Sequence, residues 1–217
     1  GAVGFTAAEA MADPDRATPH RREKGRPHPS PWLDFANIGP AGAMNVTARE
    51  LARWIGFHLR GGTTASGARL LSEKNLGETY APQTVIPFDD ATRALYPERV
   101  TQTYALGWSR TDWHGELVLT HTGSIDGFRS VLSLMPRRDC GFAVLCNTDG
   151  APSEMVRGYW SDLLVGAPPR DWTAAVGAEL RAARDRERRE RAERESAARM
   201  ARRRSTAPLA AHAGTYH

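Results

Sequence analysis

Residues 116–147 read ELVLTHTGSIDGFRSVLSLMPRRDCGFAVLCN and carry the strongest structural pattern in the chain. Short apolar runs at 116–120, 128–135 and 141–147 are separated by the dipeptide Asp126-Gly127 and by the connection 136–139. Runs of this length, bounded by turn residues, predict consecutive antiparallel strands. The last two runs are apolar at successive positions, so we expect helices to cover both faces of the sheet.

The sequence around this stretch predicts helices and irregular segments. Thr47 and Glu50 form a capping-box pattern before an apolar face at 51–59 that includes His58, which we interpret as a packed helix histidine; a catalytic role is the alternative. A second helix is expected to begin near Ser72 and to stop before Pro82, and residues 152–165 predict a third, amphipathic helix. We expect irregular structure at 1–40, a surface loop at 84–100 and a short strand at 104–108.

The charge of the chain is concentrated in one segment. The sequence carries 29 basic and 25 acidic side chains, a formal net charge of +4. Residues 181–204 are dominated by Arg, so the rest of the chain is slightly acidic. Acids that precede Arg by four residues predict a helix at 172–204 held by surface ion pairs. We interpret it as an exposed spacer; nucleic-acid binding is the alternative, but acids are interleaved and no aromatics accompany the arginines.

Composition and cysteine content exclude several classes of protein. Hydrophobic residues make up 41% and charged residues 25%, which excludes a wholly disordered chain. No apolar run approaches the ~18 residues of a transmembrane helix, and no signal peptide is visible. Cys140 and Cys146 lie on one predicted strand about 20 Å apart, too far for a disulfide. The sequence has no CxxC pair and no HExxH motif, so we expect neither a metal nor another cofactor.

The most informative site candidate lies where an apolar strand runs into a turn. His121, Thr122 and Gly123 follow the run 116–120, and Ser124 comes next. Small residues at a strand end allow a substrate backbone to lie close to the protein. Backbone N–H groups in such a place can stabilise a developing oxyanion. The triplet alone is equally compatible with an ordinary strand end that leads into a turn.

The order of motifs along the chain is more specific than the triplet. A capped helix follows residues 37–44, and after it come Tyr-Ala-Leu-Gly-Trp at 104–108, His-Thr-Gly-Ser at 121–124, Asp-Gly-Phe at 126–128 and Cys-Asn-Thr-Asp at 146–149. Over residues 1–166 this order resembles the C-terminal part of the class C-like serine β-lactamase and penicillin-binding-protein superfamily, including its peptidase S12-like hydrolases. The resemblance implies an α+β fold, an antiparallel β-sheet flanked by helices, here followed by a long charged C-terminal helix.

The resemblance also implies roles for the residues of the triplet. In that family an S-x-x-K motif supplies the nucleophilic Ser, a Y-x-N motif supplies a proton-shuttling Tyr, and a K-T-G or H-T-G strand lines the opposite wall. By resemblance His121 is catalytic, polarising the proton network or binding a substrate carboxylate, and the backbone N–H of Ser124 donates to the oxyanion. Thr122 would hydrogen-bond the substrate, and Gly123 would permit its close approach. Histidine in place of lysine titrates near neutral pH, which favours peptidase, amidase or esterase chemistry over β-lactam hydrolysis.

Two of the three family motifs do not occur in the sequence. There is no S-x-x-K, because Ser72-Glu73-Lys74 has the wrong spacing, and Tyr159-Trp160-Ser161 matches Y-x-S only within a predicted helix. Without an activated nucleophile no acyl-enzyme forms. We therefore expect a fragment of a serine hydrolase, inactive alone, whose longer form acts on a small-molecule or peptide substrate. The alternative is a non-catalytic peptide-binding or scaffold protein whose Arg-rich helix docks a partner.

The predicted organisation has three parts. Residues 1–166 are expected to form the C-terminal portion of the hydrolase domain, residues 167–206 a linker and charged helix, and residues 207–217 the start of a β-rich domain. Members of the family are often exported, so the resemblance implies an exported or periplasmic protein. The sequence itself predicts neither the substrate nor the oligomeric state.

Overall fold

The computed structural model describes residues 3–23 and 25–204, with side chains described up to residue 200. Two compact units divide the chain, the first reaching Val176 and the second starting at Gly177. The expected start of a β-rich domain at 207–217 lies outside the described residues. Within the part of the chain that the structure describes, no helix combines the length and the apolar character needed to cross a membrane.

The helices begin where the sequence supplies a capping side chain. The side chains of Thr47, Ser72 and Asp89 each accept a hydrogen bond from the backbone N–H three residues later, which satisfies one free donor of the first helical turn. The capped helix expected after Thr47 and the helix expected after Ser72 are therefore both confirmed. In chain order the helices are α1 Ala7–Ala12, α2 Gly39–Gly42, α3 Ala48–Leu59, α4 Glu73–Tyr80, α5 Asp90–Leu95, α6 Pro152–Val165 and α7 Trp172–Arg204.

The strands form a two-stranded hairpin and a six-stranded antiparallel sheet. The hairpin pairs β1 His20–Glu23 with β2 Arg26–Pro29. In the large sheet the spatial order of the strands is the order along the chain, so each strand pairs with its sequence neighbours. Its members are β3 Thr84–Val85, β4 Gln102–Tyr104, β5 Ser109–Trp113, β6 Glu116–Ile125, β7 Phe128–Met135 and β8 Cys140–Cys146.

Helices pack on both faces of this sheet, as the apolar strands predicted. On one face Val118 of β6 and Met135 of β7 lie in a core with the side chains of α6 and of the first turn of α7. On the other face Leu119, which follows Val118 in β6, and Leu134, which precedes Met135 in β7, pack with Ile55 of α3. This alternation is the period of two that a strand imposes on its side chains. It confirms the α+β fold with an antiparallel sheet flanked by helices.

A buried carboxylate ties α6 to the first turn of α7 and to the sheet. Asp162 accepts hydrogen bonds from the indole N–H groups of Trp113, at 2.9 Å, and of Trp172, at 2.5 Å. A side chain at Gly158, one turn earlier in α6, would collide with the Trp172 ring. The glycine therefore makes room for an indole, and the start of α7 is part of the core of the first unit.

The prediction of a short strand at 104–108 is wrong. These residues form the end of β4 and the turn into β5, where Gly107 has a positive φ of 86° and the Ala105 N–H donates to the Trp108 carbonyl at 2.7 Å. The strand lies at Ser109–Trp113 instead and carries buried polar groups that break the apolar pattern. One of them, Asp112, accepts two backbone N–H groups through its Oδ1, from residues 100 and 101, while its buried Oδ2 has no hydrogen-bond partner among the described residues.

Two segments expected to be irregular contain regular structure. The expected surface loop at 84–100 holds β3 and α5, and the expected irregular segment 1–40 holds α1, α2 and the β1–β2 hairpin. Thr6 and Glu9 form a reciprocal capping box at the start of α1, a short-range signal that the proline content of the segment obscured. Charged and proline-containing strands of four residues, such as those of the hairpin, lack the apolar alternation from which a strand is predicted.

Candidate functional site

The strand pairing of β6 changes after Thr120. Residues 116–120 pair with β5, whose register ends at the pair Ser109 and Thr120, and the pairing with β7 begins at Leu119. The β7 register continues without a break to the pair Ile125 and Phe128. From His121 onward, one backbone edge of β6 has no strand partner among the described residues, and we call residues 121–125 the open segment.

The four residues singled out in the sequence all lie on the open segment. The side chains of His121, Thr122 and Ser124 are exposed, and Gly123 is partly exposed. Their side chains alternate between the two faces of the sheet, because His121 and Gly123 share the face of Leu119 whereas Thr122 and Ser124 share the opposite one. What the structure brings together is therefore an edge of backbone flanked by polar side chains.

The neighbouring strand leaves little room for a side chain at the glycine of the triplet. A Cβ atom at Gly123 would meet the hydroxyl of Ser130, its register partner on β7. Gly123 is thus explained by packing between β6 and β7, independently of any substrate.

The N-terminal hairpin fixes the turn that follows the open segment. The His20 N–H donates to the Gly127 carbonyl at 3.4 Å, and Arg21 forms an ion pair with Asp126. Gly127 has a positive φ of 85°, and a Cβ atom there would lie 2.7 Å from the His20 nitrogen. Only glycine fits this turn, because both the backbone conformation and the close approach exclude a side chain.

A cavity of about 310 Å³ opens beside the open segment. One wall consists of residues from β4, β5 and β6, which include His121 and Thr122. The other wall consists of three charged residues that the sequence analysis did not single out, Arg99, Glu154 and Arg157. The only available signal was the spacing of Glu154 and Arg157, which is that of neighbours on one face of a helix.

The charged wall is held by a buried hydrogen-bond network. Arg157 of α6 is buried; its Nε donates to Glu154 at 3.0 Å, and one terminal nitrogen donates to Glu154 and to the Tyr96 hydroxyl. Burial alone raises the pKa of Glu154, but the charge and hydrogen bond of Arg157, the hydrogen bond from Tyr96 and the charge of Arg99 together hold that pKa below its usual value. Burial raises the pKa of the Tyr96 phenol, so this hydroxyl stays neutral near pH 7.

The remaining candidates have structural roles in the described part of the chain. His58 is buried against Trp54, Tyr80 and Trp108, and its Nδ1 lies 2.5 Å from the Tyr80 hydroxyl. Ser161, of the Y-x-S match, is completely buried inside α6. These contacts confirm the interpretation of both as packed helix residues. Cys140 and Cys146 are free thiols, and the described residues contain no cluster of three or more His, Cys, Asp or Glu arranged to hold a metal ion.

Comparison with known proteins identifies relatives of most of the first unit. The family model described as Beta-lactamase matches residues 2–167. A solved structure of similar fold is the octameric penicillin-binding protein homologue from Pyrococcus abyssi, with a TM-score of 0.62 and 21% identity over 76% of this chain and 34% of that chain.

Two curated relatives are fungal hydrolases. The unguisins hydrolase ungD of Aspergillus violaceofuscus is 27% identical and covers 54% of this chain, and the unguisins hydrolase ungD' of Aspergillus campestris is 27% identical over the same share. The chain spans about a fifth of the length of these relatives, 21% and 20%.

Proposed function

The chain belongs to the beta-lactamase family, and on that basis we propose that it supplies the wall strand of a serine hydrolase that works through an acyl-enzyme. The observation that carries the proposal is the exposed His-Thr-Gly-Ser segment on an open backbone edge of β6, next to a polar cavity. An extended substrate can add to such an edge as a further strand. The relatives named as hydrolases support hydrolytic chemistry.

The proposed roles are those that the family resemblance implies, and the positions of these residues on the open edge support them. His121 exchanges protons with the reacting groups or contacts the substrate, because its imidazole is exposed on the open segment. The backbone N–H of Ser124 donates to the oxyanion that forms when the nucleophile attacks the substrate carbonyl. Thr122 donates its hydroxyl to the substrate. Gly123 keeps β6 close against β7, so the edge is held in place.

The nucleophile belongs, in this proposal, to a segment outside the 217 residues. The sequence contains no S-x-x-K motif, and an acyl-enzyme needs an activated hydroxyl. We propose that the hydrolase acts on amide or ester bonds of a peptide or small molecule, in an exported or periplasmic setting. Residues 167–206 then serve as linker and charged helix, and residues 207–217 as the start of a further domain.

A fluorescent acylating probe tests this proposal. The 217-residue chain should not be labelled, whereas a protein that joins it to an S-x-x-K segment should be labelled on the Ser of that motif. His121→Ala in the joined protein should slow labelling by about 10²-fold, the usual contribution of a positioned acid or base. His28→Ala, a matched change of an exposed histidine in the hairpin, should leave the rate unchanged.

Two outcomes would contradict the proposal. Specific acylation of a serine within the 217 residues would show that the nucleophile lies in this chain. An unchanged labelling rate for His121→Ala would remove the imidazole from the chemistry. A joined protein that binds peptides but is never acylated would instead support the peptide-binding or scaffold alternative.

A further inference from the structure

The arginines of α7 are not spread evenly around the helix. Successive residues of an α-helix are rotated by about 100°, so residues that are three, four or seven apart share a face. In the second unit, five arginines lie within about 40° of one line along α7, and all five are exposed. These residues, which we call the arginine stripe, are Arg181, Arg184, Arg188, Arg191 and Arg199.

The acidic residues of the same helix lie mainly on its other faces. Among the acids of α7, only Glu195 lies on the line of the stripe, where it accepts a hydrogen bond from Arg191 at 2.9 Å. The opposite face and the two flanks carry the others, which are Glu179, Asp185, Glu187, Glu190 and Glu193. Acids and arginines are therefore interleaved along the sequence but separated around the helix, and one face is strongly basic.

Most of the stripe has no acidic partner. Arg191 is paired with Glu195, whereas Arg181, Arg184 and Arg188 have no ion pair among the described residues. Each of these arginines lies three or four residues from the next one, a spacing at which like charges on a helix repel each other. The stripe thus destabilises the helix that carries it, and an external polyanion would relieve this repulsion.

The shape of the stripe matches a flat partner. It runs straight along one side of the helix from Arg181 to Arg199, over about 27 Å at a rise of about 1.5 Å per residue. Asp185 and Glu187 lie on the two flanks. A helix in the major groove of a nucleic-acid duplex would bring these carboxylates toward phosphates, whereas on a flat anionic surface they point sideways. The sequence from 177 to 204 also has no aromatic residue on which a base could stack.

The same segment is too polar to insert into a bilayer. Helices that insert at a membrane interface present a continuous apolar face. Among the described residues from 181 to 200, Met200 is the only exposed large hydrophobic side chain. Contact with a lipid surface would therefore depend on charge.

We propose that α7 binds to an anionic lipid surface, with the arginine stripe against the lipid phosphates and the acidic face toward water. A guanidinium suits this contact because its parallel N–H groups match the oxygens of a phosphate. Each basic residue near such a surface strengthens binding by about fivefold. This binding goes beyond the proposed function, because it concerns the second unit and requires no nucleophile. It can be measured on the 217-residue chain and is independent of acylation.

Vesicles of equal parts phosphatidylglycerol and phosphatidylcholine are the probe, and sedimentation measures how much of the 217-residue chain they bind. At about 0.1 M salt we expect binding to these vesicles and none to vesicles of phosphatidylcholine alone. At about 1 M salt the chain should be released, because the screening length falls to about 3 Å.

Replacing Arg181, Arg184 and Arg188 by Gln in one variant tests the stripe. This triple variant should bind the anionic vesicles about 10²-fold more weakly, since three contributions of about fivefold are lost. Glutamine has nearly the helix propensity of arginine, so α7 should remain helical, which circular dichroism checks.

The matched control replaces Arg186, Arg189 and Arg194 by Gln. It removes the same net charge from the same helix, but at positions about 100° or more around the helix from the centre of the stripe. Its binding should stay within about threefold of that of the unchanged chain, because these side chains are screened from the surface. Equal weakening of the two triple variants would overturn the proposal, since net charge alone would then explain the binding.

Three further outcomes would also overturn it. The first is absence of binding to the anionic vesicles or equal binding to phosphatidylcholine. The second is binding that persists at about 1 M salt, which would indicate insertion. The third is tighter binding to a DNA duplex than to the vesicles at equal phosphate concentration, which would make nucleic acid the partner. If the stripe variant loses its helix, the unchanged chain still decides through the two vesicle compositions, the salt series and the duplex.

Discussion

The two halves of β6 form one continuous strand, yet they have opposite environments. Residues 116–120 all pair with β5, Leu119 and Thr120 pair with β7 as well, and Val118 and Leu119 are 0% exposed. Residues 121–125 are paired on one edge only, and three of these five residues are exposed. The comparison teaches that the candidate site is the continuation of a core strand. Its position is set by β7, and its accessibility is set by where β5 begins.

The largest expected effect is a difference in stability between variants that lose a side chain in one half of β6 or in the other. Leu119→Ala empties a fully buried position and should lower the free energy of unfolding by about 2–5 kcal/mol. His121→Ala, two residues further on the same face, should change it by no more than about 0.5 kcal/mol. Chemical denaturation of both variants measures the difference. Similar losses would mean that the open segment is packed as tightly as the core.

The core behind the closed half should also respond to pH through His58. Burial lowers the pKa of this imidazole from its usual value of 6.5 to about 4. Between these two values the unfolded chain takes up a proton that the folded chain refuses, so stability is complete above pH 6.5 and is lost as the pH falls toward 4. The loss should reach on the order of 2–3 kcal/mol.

His58→Gln is the variant that isolates this effect, because glutamine does not titrate in this range. The difference in unfolding free energy between the unchanged chain and the variant should shrink as the pH falls from 6.5 to 4. His28→Gln, at an exposed position, should leave the pH dependence as it is. Parallel pH curves for the unchanged chain and His58→Gln would refute the role assigned to burial.

The smallest expected effect is a loss of stability on substitution of Gly123, inside the open segment. Gly123→Ala places a methyl group against the Ser130 hydroxyl and should cost about 1 kcal/mol, a modest loss because that hydroxyl can rotate. Adding Ser130→Ala removes the obstructing oxygen and should restore most of the stability. Thermal unfolding of the single and double variants decides the question. No rescue in the double variant would show that the glycine is required for another reason.

The sequence predicted those elements whose signal is local. The apolar run at 128–135 and the amphipathic pattern at 152–165 match β7 and α6 residue for residue. Strand β5 was missed because Thr111 and Asp112 are buried polar residues whose hydrogen-bond partners come from elsewhere in the fold. Buried polar residues of this kind conceal a strand from any argument based on hydrophobic periodicity.

The candidate site was predictable in part for the same reason. His121 to Ser124 could be placed at a strand end from the adjacent turn residues alone. The open edge of β6 exists because β5 begins only at Ser109, opposite Thr120, and this pairing is a property of the tertiary structure. The charged wall joins Arg99 to residues more than fifty positions later, and no local pattern connects them.

The indole of Trp172 has a practical consequence for anyone who shortens the protein. The pair Pro168-Pro169 looks like a natural place to cut before the charged helix. A cut there would discard Trp172, which is 1% exposed, and leave Asp162 with one indole donor in place of two. Truncating a buried tryptophan costs about 3–5 kcal/mol. A shortened version that is meant to stay folded should therefore end after Val176, which lies within the continuous helix α7.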